Sequence, residues 1–200
     1  MKNCIQLFGY NCYLTEVCED DTEFIISIRT SNDLNALSGS SIAIDQHLEW
    51  LQAYKARIND YYWVVRDKLS GDKIGTTALF DIDNNSKKAE SGRTIVLEQY
   101  RHLTFDVFYA RSLFAFETLG LNKVYGKVRE ESTDILNFDV KKLGYKVDGL
   151  LREDWWDGNR YRNFFYISML RSEFMMYKDG IYKKYLKNLE RLSQRTSVTN

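Results

Sequence analysis

Residues 128–153, "VREESTDILNFDVKKLGYKVDGLLRE", contain the pattern that decides the fold. The stretch begins in a predicted β-strand at 123–129. A helix is predicted at 133–144, and it stops at Gly144 because glycine readily ends helices. A second strand follows at 145–153. The sequence therefore predicts a strand, a helix and a strand in succession.

The other elements lie on either side of this unit. Apolar periodicity and turn residues predict strands at 11–17, 61–67, 73–83, 87–98 and 160–170, and helices at 20–33, 44–58, 105–120 and 174 to about 193. Short turns join the three strands between residues 61 and 98, so we expect these strands to be antiparallel. The predicted order is β-α-α-β-β-β-α-β-α-β-β. It describes an α/β (α+β) domain with a mixed sheet of six to seven strands, about four helices and a C-terminal helix.

The composition limits the classes of function. A chain of 200 residues with 44% hydrophobic content suits one globular domain, placed at 1–173, with an amphipathic helical extension at 174–200. Basic and acidic residues balance at 28 each, so no nucleic-acid partner is expected. The three cysteines lack a CxxC motif or a histidine pair, so no metal site is expected. No apolar run approaches the roughly 20 residues of a membrane span, and we expect a cytoplasmic protein.

Three local patterns and the order of elements resemble the GNAT superfamily of acetyl-CoA-dependent N-acetyltransferases. The most specific is K-L-G-Y-x-x-D-G, formed by Lys142, Leu143, Gly144, Tyr145, Asp148 and Gly149. The others are the strand, loop and long helix of residues 97–121 and the ending "GNRYRNFFYISMLRSEF" at 158–174. The resemblance covers roughly residues 12–174. It implies a single GNAT-like domain that transfers an acetyl group from acetyl-CoA to a primary amine by direct attack.

The resemblance also implies where acetyl-CoA binds. The pantetheine arm would pair with the backbone of Thr94, Ile95 and Val96, after a local splay at Gly92. The pyrophosphate would meet the following loop and the first helical turn. The residues implied there are Gln99, Arg101, His102, Leu103, Thr104 and Phe105.

This loop departs from the family pattern, because His102 and Thr104 occupy the two positions where the family has small residues, mainly glycine. A side chain would be strained there if the position required a positive φ. Thr104 is expected to cap the helix, and Arg101 to supply a cation. Asp106 would repel a phosphate unless its side chain points away. The alternative is a loop that packs without a cofactor.

Two positions in the helix at 133–144 also differ from the family. Thr133 replaces an asparagine, although it can still cap the helix and offer one hydroxyl to the cofactor. Val140 occupies the position where many members have a tyrosine that protonates the leaving thiolate. That proton must then come from water or another residue, or be unnecessary.

The attacking amine needs a proton acceptor. Glu90, on the strand just before the splay, is the carboxylate best placed along the chain for this role; the alternative is a solvent-facing residue paired with Lys87 or Lys88. His47 is a second candidate, for binding or deprotonating the acceptor. Its alternative is a surface histidine with Trp50 packed inward. The helix at 44–58 has an apolar stripe of Ile44, Leu48 and Leu51, with His47, Trp50 and Tyr54 on the adjoining face.

The early segments "SIRTSNDLNA" (27–36) and "IDQHLEWL" (44–51) resemble nucleotide-sugar amine acetyltransferases and ribosomal-protein N-terminal acetyltransferases. The expected partner is therefore a small-molecule amine, first a nucleotide-linked amino sugar and second a protein N-terminus. The candidate acceptor contacts are Arg29, Asn32, Trp50 and Trp155. The alternatives are ordinary helix-end polarity and, for the tryptophan loop, a contact in a homodimer. A rival of another class is a non-catalytic binding or assembly module.

Overall fold

The computed structural model describes residues 5–31 and 43–196. Within these residues the chain forms one mixed sheet of eight strands with helices on both faces. The predicted α/β fold class is confirmed. The strands are β1 Leu7–Phe8, β2 Cys12–Glu16, β3 Tyr61–Asp67, β4 Lys73–Asp83, β5 Lys88–Val96, β6 Lys123–Arg129, β7 Lys146–Trp156 and β8 Tyr161–Leu170.

The spatial order of the strands is β1-β2-β3-β4-β5-β6-β8-β7. All neighbours are antiparallel except β5 and β6, which are parallel and are joined by a helical crossover. The seven predicted strands are present. The sequence did not predict β1, which is only two residues long and has no alternation to detect.

The helices are α1 Thr22–Ser31, α2 Ile44–Lys55, α3 Thr104–Leu113, α4 Thr133–Phe138 and α5 Arg171–Thr196. A π-helical turn extends α3 over Phe114–Thr118, and another extends α4 over Asp139–Leu143. Gly144 ends the second extension with a φ of +85°, as predicted. None of the described helices is both long enough and apolar enough to cross a membrane.

Two cores lie on opposite faces of the sheet. The larger joins α3 and α5 to the sheet through residues such as Val107, Phe114 and Phe174. The smaller joins α1 and α2 to the other face through Ile25 and Leu51. The helices therefore cover both faces of the sheet, which leaves loops and strand ends to form a site.

The inward face of α2 differs from the predicted stripe. Its buried residues are His47, Leu51 and Tyr54, whereas Ile44 is half exposed. The hydroxyl of Tyr54 accepts a hydrogen bond from the backbone N–H of Tyr62 on β3, at 2.8 Å. This contact turns the aromatic face toward the sheet and the first residue of the stripe toward solvent.

The last helix packs along α3. Tyr182 stacks on Tyr109 with ring centroids 4.0 Å apart, and Tyr185 stacks on Phe105 at 4.6 Å. Phe174 near the start of the helix is buried in the larger core. The division between a domain at 1–173 and an extension at 174–200 stays a prediction.

Candidate functional site

The central feature of the candidate site is a gap between β5 and β6. The two strands pair at only three positions, the last of which is Glu90 opposite Tyr125. The hydroxyl of Ser91 donates to the carbonyl of Tyr125 at 3.1 Å. From Gly92 to Val96, β5 pairs in the described chain with β4 alone. The strands therefore splay apart, and Thr94, Ile95 and Val96 lie where an extended ligand can pair with free backbone groups.

A bulge in β5 produces this divergence. The register with β4 shifts between Thr76 and Ala78, and Arg93 has a φ of +50°. A non-glycine residue in that region costs on the order of 1 kcal/mol. Gly75 lets β5 approach β4, because a Cβ there would lie 2.2 Å from the carbonyl oxygen of Ile95. The splay is therefore built by β4 and the bulge as well as by Gly92.

The loop without glycine folds as a 3₁₀ turn over Glu98–Leu103. None of its residues has a positive φ, so His102 and Thr104 carry no backbone strain. Leu103 is buried beneath the turn, and Gln99, Arg101 and His102 are exposed. The missing glycines thus change the shape of the loop rather than strain it.

The prediction that Thr104 caps α3 is wrong. Thr104 is the first residue of α3, and its N–H is bonded to the carbonyl of Arg101, because the 3₁₀ turn runs directly into the helix. Leu103 precedes the helix and makes no side-chain cap. An anion near this loop must therefore be held by side-chain cations and by donors earlier in the turn.

Asp106 points away from the loop. Its carboxylate accepts the backbone N–H groups of Tyr10, Asn11 and Cys12, at 2.8, 2.8 and 3.0 Å. A Cβ at Gly9 would lie 2.6 Å from Asp106 Oδ2, so glycine is needed for this close approach. The aspartate is used by the turn between β1 and β2, and the repulsion of a phosphate expected from it does not arise.

The C-terminal helix borders the same loop. The hydroxyl of Tyr185 donates to the backbone carbonyl of His102 at 3.3 Å, and its ring covers Phe105. Arg101 is exposed, with Glu98 as a distant partner at 3.9 Å. A cation is thus available at the loop, next to aromatic side chains from α3 and α5.

Thr133 lies at the start of α4, and the prediction that it caps the helix is wrong. Thr133 is the first helical residue and is exposed, while Ser132 precedes the helix without a side-chain cap. Val140 is half-buried in the π turn that extends α4. The hydroxyl of Thr133 can still face a ligand, because no cap hydrogen bond uses it.

Glu90 lies at the last paired position before the splay. Its neighbour Ala89 is buried in the core under α3, so strand alternation places Glu90 on the opposite face. Burial raises the pKa of Glu90, and Lys127 opposes that shift. Within the described residues no ion pair joins Glu90 to Lys87 or Lys88, which was the alternative role. A half-buried carboxylate of this kind is a suitable proton acceptor.

His47 begins a stack of rings on α2. Its ring lies 5.6 Å from that of Trp50, which lies 5.3 Å from that of Tyr54. His47 is buried, so the alternative of a surface histidine is wrong. Burial lowers the pKa of His47, and the cation of Arg29 lowers it further. Its Nε2 atom is buried and has no hydrogen-bond partner in the described chain.

A cation cluster that sequence reasoning missed lies beside this stack. Arg93 Nη1 is 2.9 Å from Asp60 Oδ1, and Arg57 also pairs with Asp60 at 3.4 Å. The guanidinium of Arg93 lies 4.4 Å from the centroid of the Phe80 ring and 5.5 Å from that of Trp50. The sequence signal was an arginine next to the predicted splay, but the bulge that turns it toward α2 is a tertiary feature.

The sequence model of the family described as "Acetyltransferase (GNAT) domain" matches residues 11–145. That span includes the splay, the loop and the start of the K-L-G-Y pattern. The chain belongs to the GNAT acetyltransferase family. A search of curated proteins gives no match.

Solved structures of GNAT proteins share the fold. The spermidine N-acetyltransferase from Vibrio cholerae in complex with CoA and spermine has a TM-score of 0.76 and 18% identity, over 82% of this chain and 98% of that one. A GCN5-related N-acetyltransferase from Brucella melitensis gives 0.77 and 17%, over 92% and 86%. Apo FdhC, a nucleotide-linked sugar GNAT, gives 0.76 and 25%, over 92% and 99%.

Membership of the GNAT family confirms three predictions: the superfamily, an acyltransferase, and acetyl-CoA as its co-substrate. The individual site residues stay predictions. Trp155 lies on β7, where its ring packs against Phe164 with centroids 6.5 Å apart, and no described contact links it to Trp50. Asn32 lies outside the described residues.

Proposed function

We propose that this GNAT protein transfers the acetyl group of acetyl-CoA to the primary amine of a nucleotide-linked amino sugar. The observation that carries the choice of acceptor is the cation cluster of Arg57 and Arg93, which Asp60 holds beside Trp50. The charge of Arg93 also acts on Glu90. Such a cluster fits the phosphates of a nucleotide and disfavours a polyamine.

The residues present fit acetyl-CoA. The open edge of β5 offers backbone groups to a peptide-like arm at Thr94, Ile95 and Val96. The exposed loop supplies Arg101 and the ring of His102 for the phosphates. When bound, acetyl-CoA supplies an activated acyl group, and its thiolate is a tolerable leaving group because the thiol pKa is about 8.5.

The chain's own groups have the following roles. Glu90 accepts the ammonium proton, directly or through one water, as the C–N bond forms. Backbone N–H groups of the splayed part of β5 polarise the thioester carbonyl. His47 is less suited to be the base than predicted, because its ring is buried in the stack with Trp50. We assign it to positioning the wall of the acceptor site.

The charge of the acceptor face argues for an anionic acceptor. Arg57 and Arg93 retain exposed fractions of 48% and 29%, and together they exceed the charge of Asp60. Burial lowers the pKa of His47 and raises that of Tyr62; Arg29 lies close enough to both to add to the first shift and to oppose the second. Because Arg57 and Arg93 share the single carboxylate of Asp60, some of their N–H donors stay available to bind a phosphate. The 25% identity to a nucleotide-linked sugar GNAT over nearly its whole length supports the same choice.

Two measurements test the proposal. Acetyl-CoA at millimolar concentration should raise the melting temperature of the wild-type protein, because a ligand that binds the native state stabilises it by mass action. If the melting temperature does not change, the proposed acetyltransferase activity is wrong and a non-catalytic module is supported. Thiol release should then be compared for nucleotide diphosphate-linked amino sugars, spermidine and a peptide with a free N-terminus. Turnover of spermidine or of the peptide in preference to the sugar nucleotides would overturn the proposed acceptor.

A further inference from the structure

A buried arginine lies beneath the splay, on the face opposite Glu90. Arg111 of α3 is 1% exposed. Its Nη1 donates to the hydroxyls of Thr77, at 2.8 Å, and Thr94, at 3.1 Å. Its Nε and Nη2 atoms are buried without a hydrogen-bond partner among the described residues. A buried guanidinium with two unused donors is costly unless a polar or anionic group completes it.

No carboxylate of the described chain lies within ion-pair distance of Arg111. The guanidinium instead lies 4.3 Å from the centroid of the Phe108 ring. The same ring makes edge contacts with Phe138 and Tyr145. Phe108 therefore joins α3 to the residues on either side of the π turn that follows α4.

The second group is Asp139, in the π turn. It is buried, and its backbone carbonyl accepts the N–H of Tyr145 at 3.0 Å. Burial raises the pKa of Asp139 to about 7, and the cation of Arg111 opposes the shift. The hydroxyl of Tyr145 is also buried without a described partner. Among the described residues, Arg111 of α3 is the charged group whose field acts on the Asp139 carboxyl.

Arg111 is connected to the splay through Thr94. The hydroxyl of Thr94 accepts from Arg111 and lies 3.2 Å from the carbonyl of Gly92, where β5 leaves β6. Glu90 lies on the other face of the same strand. Glu90 therefore lies on one face of the splayed strand, and Asp139 is connected to the other face through Arg111 and Thr94.

We propose that Asp139 protonates the departing thiolate and that Arg111 stabilises the charge on sulfur and then on the carboxylate. The inference rests on the proposed function. It assigns to Asp139 and Arg111 the protonation of the leaving thiolate, which the side chain of Val140 cannot perform. The orphaned donors of Arg111 are then the place where the charge that develops on sulfur is received.

The amine nitrogen forms the C–N bond, the C–S bond breaks, and its electron pair stays on sulfur. The proton of the Asp139 carboxyl moves to sulfur, and the carboxylate left behind is held by Arg111. The proton lost by the ammonium leaves through Glu90 on the other face. Solvent returns one proton to Asp139 before the next turnover.

The test compares wild-type protein with Asp139→Asn, Arg111→Gln and Arg111→Lys. Asparagine is nearly isosteric with the neutral carboxyl, so the fold should persist, which circular dichroism verifies. Ser112→Ala is the control, because Ser112 is buried next to Arg111 but has no part in the proposed step. Single-turnover acetyl transfer and the affinities for acetyl-CoA, CoA and desulfo-CoA are measured from pH 6 to pH 9.

We expect Asp139→Asn to slow acetyl transfer about 100-fold while the acetyl-CoA affinity changes less than about threefold. The affinity ratio of CoA to desulfo-CoA reports the pKa of the bound thiol. That pKa should fall in Asp139→Asn, which removes a negative charge, and rise in Arg111→Gln, which removes a positive one. Arg111→Lys should restore part of the rate.

The inference is overturned, and the proposed function stays intact, if Asp139→Asn transfers acetyl groups at the wild-type rate. The same holds if the pKa of the bound thiol shifts in the same direction in Asp139→Asn and Arg111→Gln. A slowed Ser112→Ala would also overturn it, because the loss would then reflect packing of α3. Failure of the wild-type protein to bind CoA would remove the inference together with the proposed function.

Discussion

Asp106, in the first turn of α3, accepts the backbone N–H of Cys12 at 3.0 Å and so ties the helix behind the cofactor loop to β2. Two further N–H groups of the same turn reach its carboxylate. This one buried side chain thus holds the N-terminal turn in place, and it explains why an acid is tolerated next to a phosphate loop.

Replacing this carboxylate should destabilise the protein. Asp106→Asn keeps one acceptor oxygen and turns an amide donor toward backbone donors, so we expect a loss of about 1–3 kcal/mol in the free energy of unfolding. Gly9→Ala should act in the same direction, because its Cβ would collide with Asp106. Chemical denaturation measures both. Asp134→Asn, at an exposed position of α4, is the control and should change stability by less than about 0.5 kcal/mol.

The Arg93 side chain should set the affinity for the acceptor. Arg93→Ala removes the cation beside Trp50, so the KM for a sugar nucleotide should rise about tenfold or more while acetyl-CoA affinity stays unchanged. Arg160→Ala removes an exposed cation on the hairpin between β7 and β8 and should leave the KM unaltered. If the KM rises equally in Arg93→Ala and Arg160→Ala, the two arginines act only through the overall charge of the protein and Arg93 does not contact the acceptor.

The backbone at Arg93 offers a separate comparison. Its φ of +50° is unfavourable for alanine and free for glycine. Arg93→Gly should therefore be more stable than Arg93→Ala by on the order of 1 kcal/mol, with the same loss of acceptor affinity. Thermal or chemical unfolding of the pair gives the difference. Equal stabilities would argue that the bulge relaxes when the side chain is removed.

The pH profile should report Glu90. Because burial raises its pKa, the acidic limb of kcat/KM should lie above the usual range for a glutamate, with activity lost as the pH falls through it. Glu90→Gln should lower the rate about 100-fold or more and abolish that limb, while acetyl-CoA binding persists. Glu98→Gln, an exposed glutamate of the loop, is the matched control. A limb that survives in Glu90→Gln would assign the base elsewhere.

Asp139 should make stability depend on pH. Its pKa is about 7 in the folded protein against 3.8 as the ordinary value, so the folded state binds more protons between those two pH values. Stability from this group therefore falls as the pH rises through the window, by about 1.4 kcal/mol per unit at most. Asp139→Asn should flatten the slope between pH 4 and pH 7 in urea unfolding. If the slope of stability against pH is the same in Asp139→Asn and the wild type, the Asp139 carboxyl is exposed to solvent and its pKa is not raised.

The aromatic seam between α5 and α3 should contribute to stability. Tyr182→Ala and Tyr185→Ala together remove two stacked contacts, and we expect a loss of about 2–4 kcal/mol. Met176→Ala, at an exposed position of the same helix, should be neutral. Differential scanning calorimetry separates the two. If the double variant is as stable as the wild type, α5 does not hold the loop.

The sequence predicted well what depends on neighbours along the chain. The alternation of β3 and β4 and the helix stop at Gly144 are local patterns with local causes, and the structure has them nearly at the predicted residues. The same local reasoning missed β1, because two residues have no periodicity. It also placed Ile44 on the apolar stripe of α2, whereas the structure buries His47 and Tyr54 beside Leu51, since Tyr54 is held by a backbone group of β3.

Some features of the candidate site could likewise be predicted from the sequence, and others could not. From the sequence alone came the family pattern, the splay near Gly92, Glu90 on its edge and the unusual loop without glycine. Only the tertiary structure decided that the loop is a 3₁₀ turn, that Asp106 turns away from it, and that Arg93 and Arg111 lie on opposite faces of the splay. The physical reason is that periodicity and turn chemistry act between residues a few positions apart. Burial and charge pairing depend on groups such as Asp60 and Arg93, which are distant along the chain and meet only once the sheet has formed.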